Sequence, residues 1–249
     1  MVLKVFDQRF ATQLREDEKV QPYKMDIEFD YHRFVRDGGA EAFIDGLNTH
    51  DEMAEEDESW NTPQEEAYLH DCLLDLYKTG IQVYNTLKDL QGEEVPGLLA
   101  AVLVSGFDPD VLEPVTQGFP GILLQHIQGF LLTNLADYSP REIRQSICDD
   151  SVRILNLMDD RGILNKDVQT RSFIVSLDNA QRKHFKVIMI DFALCNSRAD
   201  YEDDQEWSEF KAIQEEQEEA IGRVMQTRLE GSFVYRESCR YKKPASYYE

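Results

Sequence analysis

The sequence predicts an α+β chain, with helices segregated from a small sheet. Short apolar or alternating segments stand beside turn residues, as strands do. Apolar residues at spacings of three and four mark separate helices. The order is strand, helix, strands, helix, hairpin, helix, which is not the strict alternation of a doubly wound fold. Neither GxGxxG nor GxxxxGK[ST] is present to anchor a nucleotide on a parallel sheet.

The first strand is expected over residues 2–6, in VLKVF. Residues 15–62 are acidic and weakly periodic, with HDEMAEEDES at 50–59 the most charged stretch. They read as a solvated insertion carrying one short helix near Glu41 to Leu47. A long helix follows, because Leu69, Leu73, Leu76, Val83, Leu87 and Leu90 share a face. Gly80, at about 1 kcal/mol less favourable than alanine, is an expected break or kink, and Gly92 an expected left-handed C-cap. Residues 97–104 and 121–127 read as buried strands joined by the turn-rich SGFDPDVLEPVTQGFPG.

Ser139-Pro140-Arg141-Glu142 reads as a helix start, with Ser139 as N-cap and Glu142 closing a capping box. The helix it opens carries Ile143, Ile147, Ile154 and Met158 on one face and should stop near Arg161-Gly162. Ile163-Leu164, Phe173 to Val175 and Val187 to Ile190 are three short apolar segments, the last two reading as a hairpin around the polar SLDNAQRKH. Residues 203–230 return to a helical pattern in which Trp207 and Phe210 read as core. Glu215, Glu216, Glu218 and Glu219 there read as a solvated helix face.

Composition narrows function. Hydrophobic residues at 42% are ample for a core, while 48 acidic against 26 basic side chains give a formal charge of −22. Such a chain repels phosphate backbones and anionic lipid heads, so neither nucleic acid nor a membrane surface is an expected partner. The longest apolar run, Leu98 to Val104, falls far short of the roughly 20 residues that a membrane span needs. Met1 is followed directly by VLKVFD, so no secretory signal is expected. The cysteines Cys72, Cys148, Cys195 and Cys239 are far apart and form no CxxC. Reduced thiols in an intracellular protein, cytoplasmic or nuclear, are the expectation.

Two aspartates stand at special places: Asp167 in GILNKDVQTRSFIV, before a hairpin strand, and Asp191 in VIMIDFALC, at the end of one. A carboxylate ending a buried strand is costly unless it is solvated, paired or holding a metal. Two around one hairpin could form a site for Mg²⁺ and phosphate, since hard cations take oxygen ligands.

GILNKDVQTRSFIV resembles the catalytic loop of protein kinases, H-R-D-L-x-x-x-N, and IDFALC resembles their D-F-G segment. Asp167 then matches the catalytic aspartate, Asn165 and Lys166 replace His and Arg, and Ser172 stands where the metal-binding Asn belongs. Asp191-Phe192-Ala193 matches Asp-Phe-Gly, with Asp191 the metal ligand. Val2-Leu3-Lys4 looks like the strand V-A-I-K, making Lys4 the partner of the α/β-phosphates. GILLQHIQG is similar to the strand entering the hinge, with the backbone of Gln125, His126 and Ile127 facing adenine; the His126 side chain reads as packed or half-exposed. Taken together, the chain most resembles the divergent protein-kinase-like proteins of filamentous fungi, in which an LKxFD start, an LQG-x-x-x-P turn, an N-x-D-V loop and a DFALC segment recur.

That resemblance implies a two-lobed fold, with a reduced N-lobe over 1–124, a hinge at 125–129 and a shortened C-lobe over 130–249. It also implies losses. No glycine-rich loop precedes Lys4, and Gly80, Gln82 and Val83 stand where the helix glutamate that holds the lysine is expected. Two functions follow. One is a catalytically impaired homologue, a binding or regulatory module for a protein partner, with no cofactor required. The other is an active ATP-dependent phosphotransferase using ATP and Mg²⁺ with Lys4, Asp167 and Asp191.

Overall fold

Strand β1 runs Val2–Val5 and is followed by a 3-10 turn at Gln8–Phe10 and helices α1 (Thr12–Asp17), α2 (Met25–Arg36), α3 (Gly39–Thr49) and α4 (Thr62–Thr86). Next come β2 (Leu98–Val104), β3 (Phe119–Leu124), β4 (Gly129–Leu131), α5 (Leu135–Tyr138) and α6 (Arg144–Asp159). The chain continues through β5 (Ile163–Asn165), β6 (Phe173–Leu177), β7 (Phe185–Met189) and β8 (Cys195–Ser197) to α7 (Asp204–Ile213) and α8 (Glu219–Arg228). The computed structural model describes residues 1–49, 60–105, 118–177, 185–213 and 217–238. The architecture is α+β, with sheets β1-β3-β2, β4-β6-β7 and β5-β8. The chain divides into two compact units, a smaller one of residues 4–78 and 102–121 and a larger one of 1–3, 79–101 and 122–249.

In the smaller unit, the stretch expected to be a solvated insertion is helical at α1, α2 and α3. The expected helix at Glu41 to Leu47 lies within α3, while 50–59 lies outside the described residues. Most of its charges are exposed, but a few are buried in pairs that tie its segments together. Arg15 is 4% exposed and Glu66 2%, and the guanidinium grips both carboxylate oxygens at 2.7 and 2.6 Å. Arg15 also donates to the carbonyls of Gln8 at 2.8 Å and Gln21 at 3.0 Å, so one side chain gathers three chain segments. Arg9 forks onto the Asp7 carboxylate, reaches Glu28 at 3.2 Å, and lies 4.3 Å from the centroid of the Phe119 ring. Apolar periodicity cannot register such pairs, and Ile27 and Tyr31 are the residues that α2 buries.

Helix α4 opens on a reciprocal cap: the Gln64 N–H donates to Asn61 Oδ1 and the Asn61 N–H to Gln64 Oε1. It runs unbroken through Gly80, because the buried Val83, Tyr84 and Leu87 just beyond offset the roughly 1 kcal/mol that the glycine costs. Gly92 takes φ +82°, the left-handed conformation expected of it. Strand β3 starts earlier than expected and ends at Leu124, so residues 125–127 follow the strand instead of completing it; most of the turn-rich connection before it is outside the described residues.

In the larger unit, β4 pairs antiparallel with β6, and β6 with β7 in the register Phe173↔Met189 to Leu177↔Phe185. The expected hairpin is therefore present, its polar loop at 178–184 lying outside the described residues. Gly129 is required at its place, since a Cβ there would lie 2.3 Å from the Val175 carbonyl oxygen. Ser139 corrects the sequence reading. Its Oγ donates to the Leu135 carbonyl at 2.7 Å and so closes α5 rather than capping the next helix. A 3-10 turn at Arg141–Ile143 intervenes, and α6 begins at Arg144 with Ile147, Ile154 and Met158 buried and Ile143 half-buried. Trp207 and Phe210 pack with Tyr201 around Leu164, as core. Cys72, Cys148 and Cys195 are free thiols, and Cys239 lies outside the described residues. Among the described residues no helix is long and apolar enough to cross a membrane.

Removing one partner of a buried ion pair strands the other charge. Arg15→Met should therefore lower stability by about 3–5 kcal/mol in urea unfolding, and adding Glu66→Leu should restore most of that loss. A double variant as unstable as the sum of the two single ones would contradict this account.

Candidate functional site

Asp191 follows β7 by two residues and adopts φ +68°, the left-handed region. For a residue other than glycine this costs on the order of 1 kcal/mol, although aspartate tolerates it better than most. Local contacts hold it there. The Ile190 N–H donates to the Ser172 carbonyl at 2.7 Å, and the Asp191 carbonyl accepts from Asn165 Nδ2 at 3.1 Å. The next side chain, Phe192, is 2% exposed and meets the buried Tyr84 ring edge-on at 5.1 Å. The turn thus drives Phe192 into the core while Asp191 stays exposed.

Asn165 ends β5, opposite Cys195 of β8, and is 2% exposed. Its Oδ1 accepts from the Asp167 N–H at 2.8 Å, an Asx-type turn, while its Nδ2 holds the Asp191 carbonyl. Its own carbonyl accepts from Gln217 Nε2 at 2.8 Å. One buried amide therefore ties together the two segments carrying the aspartates singled out from the sequence. The Asp167 carboxylate is half-buried, accepts from Gln169 Nε2, and stands 3.5 Å from Arg171 Nη2.

Ser172 ends the 3-10 turn Thr170–Ser172 and is 5% exposed; its N–H donates to the Gln169 carbonyl at 2.9 Å. Through the Ile190 bond its backbone adjoins the Asp191 turn. Beyond β3, the Gln125 N–H donates to the Gly97 carbonyl at 2.8 Å and Gln125 Oε1 accepts from the Gly97 N–H at 3.0 Å. His126 is exposed and Ile127 half-buried. Lys4 belongs to the smaller unit and the other candidates to the larger; its Nζ lies 5.5 Å from the Phe6 ring centroid. Glu66 is committed to Arg15, and Gln82 Nε2 donates to Asp200 Oδ1 at 2.9 Å. Gly80 is buried, and a Cβ added there would meet no atom within 4 Å.

Burial pushes the Cys195 thiol up, and the charge of Asp191 pushes it further. Burial, followed by Asp191 and Cys195, raises the Tyr84 phenol in the same direction. Both groups remain neutral and protonated beside Asp191. Among the described residues no group of three or more His, Cys, Asp or Glu side chains gathers as a metal cluster. Two carboxylate-bearing segments would hold an oxygen-liganded cation only with further ligands from water or a bound anion such as phosphate. Sequence reading missed Gln217, Gln169 and Tyr84. Asn165 was visible as a departure from a motif, whereas Gln217 lies in a glutamate-rich helix pattern with nothing to distinguish it. Compared with known proteins, the chain matches no protein-family model and no curated protein.

The Asn165 side chain should be tested by Asn165→Ala and Asn165→Asp. The alanine variant strands a donor and an acceptor and should lose about 2–4 kcal/mol. The aspartate variant keeps the bond to the Asp167 N–H but turns a carboxylate toward the Asp191 carbonyl. Protonation restores a donor there, so its deficit against wild type at equal pH should shrink as pH falls. A deficit independent of pH in unfolding titrations would contradict the assigned bonds.

Proposed function

We propose that the chain is a divergent protein-kinase-like protein, of the kind found in filamentous fungi, that is catalytically impaired and acts inside the cell as a binding or regulatory module for a protein partner. The observation that carries this reading is the Asn165 clamp. The segments resembling the catalytic loop and the D-F-G element, far apart in sequence, meet on one side chain. In this reading residues 1–124 and 130–249 are the two lobes, with a hinge at 125–129.

Impairment is supported at three places. Gly80 has no side chain where a glutamate would hold the lysine, and Gln82 is engaged with Asp200. The acidic residue that α4 does bury, Glu66, serves Arg15. Ser172 offers a short hydroxyl on a buried turn where the longer amide of asparagine would reach a metal. Phosphoryl transfer relies on positioning and electrostatic stabilisation, so each loss removes part of the catalyst.

A second reading, an active ATP-dependent phosphotransferase, is favoured by the retention of Asp167 and Asp191 on one clamp. In it Asp191 would hold Mg²⁺ together with the phosphates of ATP, Asp167 would accept the acceptor's proton, and Lys4 would face the α/β-phosphates. The backbone of Gln125, His126 and Ile127 would face adenine, with the Gln125 N–H already given to Gly97. Bound Mg²⁺ would supply neutralisation of phosphate charge.

Thermal-shift titration separates the two. The impaired reading predicts a rise on the order of 1 °C or less at 1 mM Mg·ATP, the stabilisation expected when Kd is about 1 mM or weaker. A larger, concentration-dependent rise that disappears in Asp191→Asn would carry the second reading.

A further inference from the structure

The glutamate cluster expected to be a solvated face contains a buried member. Glu218, on the turn between α7 and α8, is 2% exposed, and its Oε2 accepts from the Tyr235 hydroxyl and the Ser238 N–H, each at 3.2 Å. Burial and Glu218 both push the Tyr235 phenol up, so it stays a donor. The adjacent Gln217 is 6% exposed and is the residue that reaches the Asn165 carbonyl.

The segment that meets Glu218 is itself fastened. Phe233 is 1% exposed, the Val234 N–H donates to Gln145 Oε1 at 2.9 Å, and its carbonyl accepts from Gln145 Nε2 at 3.2 Å. The Tyr235 N–H donates to Gln226 Oε1 at 2.7 Å, and its ring lies so close to Gly222 that a Cβ there would be 2.2 Å away.

We propose that Gln217 is a positioning residue of the Asp167–Asp191 site, held in place by residues 233–238 through Glu218. A buried glutamine needs a bonded amide to offset its desolvation, and this one bonds the residue whose side chain grips both aspartate segments. Together with the Lys166 N–H, which donates to the Leu194 carbonyl at 2.8 Å, it holds the peptide plane that follows Asn165 and so steadies the backbone from which the Asn165 amide extends. The proposal rests on the reading that these segments form the functional site, and it extends that site to the helix pair α7–α8 and the strap at 233–238.

The test uses the full-length Gln217→Met variant, which keeps the shape and loses the donor, and reads amide hydrogen exchange by NMR. The Asp167 amide should exchange about tenfold faster than in wild type, while amides of the β6–β7 hairpin keep their rates. An unchanged Asp167 amide, or an equal acceleration across the hairpin, would overturn the proposal. Should Gln217→Met fail to fold, Tyr235→Phe takes only the hydroxyl from Glu218 and keeps the ring on Gly222. Faster exchange at Asp167 is expected there, and an unchanged rate would overturn the proposal. This readout needs no nucleotide, so a null Mg·ATP titration bears on the functional reading without touching the tether.

Discussion

Asn165 bonds two backbone groups, the Asp167 N–H of its own turn and the Asp191 carbonyl 26 residues on. Nearly everything that gives the larger unit a candidate site depends on that amide. Without it, Asp191 would have less reason to remain left-handed, a conformation that costs on the order of 1 kcal/mol. The Asp191 turn in turn directs Phe192 against Tyr84. A buried, fully used amide of this kind matters more through the cost of leaving its partners unmade than through its own modest net bond energy.

The smaller unit is organised by a different constraint. A chain of net charge −22 can afford few unpaired carboxylates in its interior. Arg15 answers this by neutralising Glu66 while fastening the carbonyls of Gln8 and Gln21. Arg9 repeats the pattern nearer the surface, with Asp7, Glu28 and the Phe119 ring. These pairings, together with the buried Ile27 and Tyr31 on one face of α2, fasten an acidic stretch whose other charges stay exposed.

What the sequence made legible follows from this difference. Elements specified by apolar period were readable: β1, the face of α4, the β6–β7 hairpin, and the Trp207–Phe210 core. Asp167 and Asp191 stood out because carboxylates beside buried strands need an explanation, and the structure brings their segments onto Asn165. Elements specified by who bonds whom were not readable. Ser139 has the residues of a capping box, yet its hydroxyl is taken by Leu135. Glu218 resembles its neighbours in a solvated run until Tyr235 and Ser238 reach it. Gln217 acts on a residue far up the chain, a separation that no local pattern reports. The residue types in a motif could be read from the sequence, but the long-range hydrogen bonds that orient them could not.

The most direct measurement of the central claim is the scalar coupling across the hydrogen bond between Asn165 Nδ2 and the Asp191 carbonyl carbon, in deuterated, ¹⁵N,¹³C-labelled protein. The account predicts a resolved coupling, together with slow solvent exchange of the Asn165 amide protons. Absence of the coupling, with those protons exchanging as fast as in a free asparagine, would contradict it.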